Sequence, residues 1–300
     1  MLTRRRSGLT LAELVISLAV AGIVLGLLTA IGVREQRVFS DLADRAALAG
    51  QLREAAAILP IDVRALSPAT GDIRVASDTA IELRGTIASG VVCDTASGSL
   101  VVSPPVGDSG ALYATALSAV SPGDTLWLLT ASDSAADWQA FAVASASSAR
   151  AGPCASAGPR LAPAILTRPR GRLTLVGSIP GRAVGSPFRV TRALRYSVYR
   201  ATDAAWYLGE RDWNSVLLRF NTIQPVAGPL LAASAGGVRF AYRDSAGSDL
   251  ATPVVNTAAI RLIDIMLRGQ TRIATRILGA RADTGVRRDS AHVVIAPRNR

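Results

Sequence analysis

Side chains with chemistry to offer are few and far apart in this chain. His292 is the sole histidine in 300 residues, and the two cysteines, Cys93 and Cys154, do not form a Cys-x-x-Cys spacing. A structural or catalytic zinc draws three or four such ligands from short spacings, so no metal and no other cofactor is expected. A histidine-dependent triad would have to rely on His292 alone, which sits among valines in the tail HVVIAPRNR and reads as a strand residue. Asp203, Glu210, Asp212, Asp244 and Asp264 could converge as carboxylate pairs, yet no glycine-rich phosphate loop accompanies them. The chain is therefore read as a non-enzyme. The cysteines are the remaining reactive pair. In an oxidising compartment their bond would close a loop of about 62 residues, which the chain-entropy model values at roughly 4 kcal/mol; two buried thiols are the other reading.

The charge is one-sided. All 33 basic side chains are arginine, against 22 acids, for a net charge of +11. From Trp138 to Thr202 there is no acid, while Arg150, Arg160, Arg168, Arg170, Arg172, Arg182, Arg189, Arg192, Arg195 and Arg200 all fall there. Such a run could neutralise phosphates. Aromatic side chains for base stacking are sparse in it, with Phe141, Phe188, Tyr196 and Tyr199. A solvated strand face is the plainer reading, and nucleic acid is a partner that the charge allows and the aromatic content disfavours.

The element that positions everything else is the N-terminus, MLTRRRSGLTLAELVISLAVAGIVLGLLTAIGVREQRVF. Arg4, Arg5 and Arg6 precede an apolar run in which no residue from Leu14 to Val33 is charged. As a helix those residues reach about 30 Å, the thickness of a bilayer's hydrocarbon core. The arginines should stay cytoplasmic and the rest of the chain face outward. A secretory signal peptide has a shorter apolar region ending in a small-residue cleavage site, whereas here the polar punctuation precedes the run. The order of basic residues, Gly8, Leu9, Thr10, Leu11, Ala12, Glu13, Leu14 closely resembles the class III signal of type IV pilins and type II secretion pseudopilins. That resemblance implies cleavage between Gly8 and Leu9 by prepilin peptidase, methylation of Leu9 as the new terminus, and pairing of Glu13 with a neighbouring subunit's α-amine to set filament register. Leu9 departs from the phenylalanine common at that position. Physically, a carboxylate in hydrocarbon costs roughly 2.5–3.5 kcal/mol or more unless neutralised or paired, and the positive end of the helix dipole offsets part of that. Gly22 and Gly26 make a small-xxx-small pair that would let helices approach closely in lipid. No proline stands near Ala30, which fits a minor pilin or pseudopilin better than a bulk fibre subunit.

No proline occurs between Leu2 and Leu59, so one helix is expected from about Leu9 to Leu59, with Pro60 ending it or kinking it before a short turn through Ile61 to Leu66. Val38, Leu42, Ala46, Ala49, Leu52, Ala56 and Leu59 recur at helical spacing as its packing stripe. Beyond Ser67, short apolar runs alternate with turn residues. Strands are expected at 73–75, 80–87, 90–93, 126–129, 139–143, 188–200, 204–208, 215–220, 238–243 and 259–267, with loops at 97–110 and 144–163. The order RYSVYRATDAAWYLGE, then VRFAYRDSAG, then IRLIDIMLRGQ is similar to large J-type minor pseudopilins and W-type minor pilins. The expected fold is α+β and pilin-like: a long transmembrane and amphipathic helix packed on a mainly antiparallel sheet. Its expected parts are a leader 1–8, a membrane segment 9–33, an amphipathic continuation 34–66 and a periplasmic β-rich domain 67–300, divisible into 67–165 and 166–300. The expected function is that of a minor pilin or pseudopilin of a type IV pilus or type II secretion filament, acting at the tip or in initiation. Its partners would be prepilin peptidase, other minor and major pilins or pseudopilins, and the inner membrane. The alternatives are a DNA-uptake minor pilin and an unprocessed membrane-anchored binding domain.

Overall fold

Thr10 starts the helix. Its backbone is extended, its hydroxyl accepts the Glu13 N–H at 3.3 Å, and the Glu13 carboxylate accepts the Thr10 N–H at 3.0 Å. This reciprocal capping box satisfies donors that a helix end otherwise leaves open. The computed structural model describes residues 10–96, 98–102, 114–116, 118–131, 136–149, 170–179, 183–271 and 288–297. Helix α1 runs Leu11–Arg64, 54 residues, about 80 Å at the standard rise. Pro60 does not end it. The proline ring lacks the donor that would reach Ala56 and crowds that carbonyl, yet the residue is buried within a helix that continues to Arg64.

Fifteen antiparallel strands occur among the described residues: β1 Ile73–Ala76, β2 Ala80–Ala96, β3 Ser99–Val102, β4 Ala114–Ala116, β5 Thr125–Ala131, β6 Ala136–Ala149, β7 Arg170–Leu175, β8 Pro187–Arg200, β9 Trp206–Asn214, β10 Arg219–Phe220, β11 Gln224–Leu230, β12 Val238–Arg243, β13 Asp249–Leu250, β14 Leu262–Gln270 and β15 Arg288–Ile295. Two long strands, β2 and β8, join two cores. On one side the order β2–β3–β7–β6–β5–β8 returns to β2, so six strands close on themselves. Inside lie Val92, Leu100, Leu126, Leu128, Val143, Leu173, Phe188 and Val190. On the other side β8, β9, β11, β14 and β12 follow in order, and Phe240, Tyr242, Ile263, Ile265 and Leu267 meet the buried stripe of α1. The α+β arrangement of a long helix on an antiparallel sheet is thus present. Packing crosses position 165, since Leu100 and Val143 share a core with Leu173.

The packed face of α1 is Leu48, Leu52, Ala55, Leu59 and Val63, seated mainly on β11, β14 and β15. This corrects the expected stripe, which shares only Leu52 and Leu59 with it. Val38 and Leu42 are exposed because the sheet does not extend to that part of the helix. Gly269 permits the close approach: a Cβ there would stand 2.5 Å from Leu48 Cδ1.

Several strand expectations need correction. Residues 80–87 and 90–93 belong to the single strand β2, and what reads as a break is a register shift against β8 between Thr86 and Ala88. The expected 97–110 loop contains β3, and its part from 103 lies outside the described residues. β6 continues to Ala149 through small residues because β7 supplies a ladder for them. Of 215–220 only Arg219 and Phe220 pair, and the rest is a hairpin tip. Strand β11 carries Pro225 and Pro229, which disguise it in the sequence.

Candidate functional site

The exposed half of α1 is the first candidate. Leu14, Ile16, Val20, Ile23, Leu25, Leu28 and Ile31 are each about half exposed or more, although the segment is long and apolar enough to cross a membrane. None of the described residues covers this surface, which is compatible with a single-pass membrane anchor. The polar side chains along it are satisfied within the helix, as hydrocarbon requires. Ser17 donates to the Leu14 carbonyl at 2.9 Å and Thr29 to the Leu25 carbonyl at 2.6 Å. A Cβ added to Gly22 or Gly26 would meet nothing within 4 Å, so both leave bare backbone on the outer surface. Glu13 borders a shallow apolar groove with Ile16, Ser17, Val20, Val24 and Leu25. Arg4, Arg5, Arg6, Gly8 and Leu9 lie outside the described residues, as does Cys154; Cys93 is buried in β2.

Within the domain the expected carboxylates do not gather into one cluster, although Glu210 and Asp212, two apart on β9, repel each other. Asp203 accepts from the Tyr207 hydroxyl at 2.8 Å, and Asp244 holds its own turn by accepting the Ala246 and Ser248 N–H groups. Asp264 faces His292, whose Nε2 stands 2.6 Å from Oδ1, on the outer face of β14 and β15. Among the described residues no group of three or more His, Cys, Asp or Glu is placed to hold a metal.

Glu210 has a partner that spacing alone did not suggest. The Tyr196 hydroxyl lies 2.6 Å from Asp62 Oδ2, in the last turn of α1, and 3.3 Å from Glu210 Oε2 on the adjacent strand. Burial raises the Asp62 carboxyl above its ordinary value against the opposing Tyr196 hydrogen bond. Glu210 is raised by burial and then by the Asp62 charge, and Tyr196 is pushed up by burial and both carboxylates.

The arginine-rich stretch is partly consumed indoors. Arg189 makes two bonds to Asp72, at 2.9 and 3.2 Å, and lies over the Trp127 ring. Arg192 holds Asp124 in the same bidentate manner, at 2.8 and 2.7 Å, and reaches Asp212 at 3.6 Å. Arg150, Arg160, Arg168 and Arg182 lie outside the described residues.

Compared with known proteins, no curated sequence and no solved structure matches the chain. Residues 3–29 match the family model of the prokaryotic N-terminal methylation motif, the type IV pilin-like signal.

Proposed function

We propose that this chain is a minor pilin or pseudopilin, inserted as a single-pass inner-membrane protein and then drawn through its N-terminal helix into a type IV pilus or type II secretion filament. The observation that carries the reading is an apolar helix of membrane length that the chain leaves uncovered, beginning inside a methylation motif. The parts follow from it: a leader 1–8 kept cytoplasmic by Arg4, Arg5 and Arg6, a membrane segment 9–33, its continuation 34–66, and a periplasmic domain 67–300. Prepilin peptidase cuts between Gly8 and Leu9 and methylates Leu9. Glu13 then pairs with a neighbouring subunit's amine in place of the Thr10 N–H it accepts here, and Gly22 and Gly26 admit close helix contacts. A disulfide between Cys93 and Cys154 suits a periplasmic domain, and the absence of free cysteine among the described residues supports it. The J-type and W-type likeness of the C-terminal half favours a place at the filament tip or in its initiation. A nucleic-acid role gains no support from Arg189 and Arg192, which are bonded to Asp72 and Asp124.

Mass spectrometry of the mature N-terminus, in cells with and without active prepilin peptidase, tests the proposal. The expected terminus is N-methyl Leu9, lost when the peptidase is inactive. An intact N-terminus in both strains leaves an unprocessed anchored domain instead.

A further inference from the structure

Arg195 on β8 and Arg211 on β9 are directly opposite each other in the antiparallel ladder. Such a pair has its Cβ atoms about 5 Å apart on one face of the sheet, and like charges so placed destabilise it. Among the described residues neither guanidinium has a hydrogen bond or an ion pair of its own. Glu82 lies opposite Arg195 on β2, but it pairs with Arg74 at 3.5 Å, so three arginines share one acid. The nearby acids of β9 are turned to the other face, Glu210 toward Tyr196 and Asp212 toward Arg192. Further along β8, Arg189 is matched by Asp72. Arg211 Nε is also buried without a partner. Part of that cation has lost its water with no bond in exchange, which folded proteins rarely leave open.

The neighbouring positions on this face add donors. Ser197 and Gly209 are the next pair along the ladder, and Tyr199 and Tyr207 the one after. Gly209 is required there, because a Cβ would stand 2.6 Å from the Tyr199 ring and 2.5 Å from Ile223. The Tyr199 ring thus lies against the backbone beside Arg211. Its hydroxyl is raised above its ordinary value by burial, Tyr207 and Asp203, while the Arg211 charge pulls it down. Two guanidinium groups and the Ser197 and Tyr199 hydroxyls therefore border one patch of sheet. Lipid of the chain's own membrane does not reach it. Tyr196 and Glu210, the chain neighbours of Arg195 and Arg211, meet Asp62 in the last turn of α1, which a continuous helix carries about 40 Å beyond Val33.

We infer that Arg195 and Arg211, with Ser197 and Tyr199, bind a soluble oxyanion of the phosphate type on the outer face of β8 and β9. Guanidinium forks match the oxygens of phosphate and carboxylate. Two forks side by side present a double positive charge, which suits inorganic phosphate or a phosphate monoester over a singly charged carboxylate. The bound anion would replace the repulsion of the facing arginines with charge-assisted hydrogen bonds. Only the distance from lipid rests on the proposed membrane anchor; the arginine pair and its missing counter-charge do not.

The test is isothermal titration of the full-length chain in a zwitterionic detergent with inorganic phosphate, at an ionic strength held constant with sodium chloride. Saturable heat is expected. Arg195→Gln and Arg211→Gln should each weaken binding about tenfold or more, and Arg211→Lys, which keeps the charge but not the fork, should fall between. Arg239→Gln removes the same charge from an exposed position on β12 and should change nothing. Melting curves add a readout that a structural role would not move. In chloride alone Arg195→Gln should melt at or above the parent, because the repulsion is relieved, and in phosphate the parent should overtake it. No saturable heat from the folded parent, or equal weakening by Arg239→Gln, overturns the inference. So does binding seen only when phosphatidylglycerol is added to the micelles, which would make the ligand a headgroup. Processing at Gly8 is read separately. Phosphate binding by a chain that is never processed would sink the filament reading and keep the site, and processed chains without phosphate heat would do the reverse.

Discussion

Tyr196 has one hydroxyl proton and two carboxyl neighbours. At 2.6 Å it donates to Asp62, so the 3.3 Å contact with Glu210 becomes a hydrogen bond only when Glu210 itself carries a proton. Among the described residues no cation offsets the pair. Arg192 is turned to Asp124 and Asp212, Arg64 is exposed, and Arg195 and Arg211 alternate to the other face of β8 and β9. Both carboxyls are raised above their unfolded values, so the folded chain binds protons more tightly than the unfolded one. Their contribution to stability is complete below the ordinary carboxylate range, about pH 4, and is lost as pH rises through the raised folded values. Glu210→Gln should therefore raise the thermal midpoint relative to the parent at pH 8, with the difference shrinking toward pH 4. Parallel melting curves across that range would refute the assignment. This cluster was not legible in the sequence, because Asp62 and Tyr196 lie 134 positions apart. The same holds for Arg189 and Asp72, 117 apart: an acid-free stretch of sequence is not an acid-free surface when strands from elsewhere supply the counter-charge.

At the scale of the element, α1 is two helices in energetic terms. Its second half is stabilised by burial of Leu48, Leu52, Leu59 and Val63 under the sheet, and its first half buries nothing against the described residues. Leu52→Ala should cost the domain about 2–5 kcal/mol, the range for removing a buried leucine. Leu25→Ala should leave unfolding of the domain within about 0.5 kcal/mol of the parent. Denaturant unfolding of the full chain in detergent, followed by tryptophan fluorescence, distinguishes them, and equal losses would contradict the division. The helix was legible as far as Leu59 from the lack of proline before Pro60, and its last turn to Arg64 was not. Its packing stripe was not, since apolar residues occur on several faces and the sheet selects one of them. Strands with alternating side chains, such as β12, were legible for a local reason. The small-residue end of β6 and the proline-bearing β11 were not, because partner strands, not their own composition, make them strands.

For the whole molecule, the joint between the two cores is the structural decision that matters. β2 and β8 pair along most of their length and pass from the helix-covered core into the closed ring, so the two cores share continuous strands. Cys93 stands in the ring portion of β2. If it is bonded to Cys154, reduction should lower stability by up to about 4 kcal/mol. Intact mass after alkylation, with and without reductant, reports the bond, and the two melting curves report its worth; alkylation of both cysteines without reductant would remove it. By itself the sequence determined the N-terminal signal, the membrane-length helix and the β-rich character of the chain beyond that helix. Each is written in short-range order: the place of a glycine and an acid, the absence of charge over twenty residues, and an alternation of period two. Tertiary structure alone decided which helix face is buried, that six strands close into a ring, and that Asp62, Tyr196 and Glu210 meet. Those outcomes depend on register and packing between segments far apart in the chain, where each residue's partner is set by the fit of the whole and not by its neighbours.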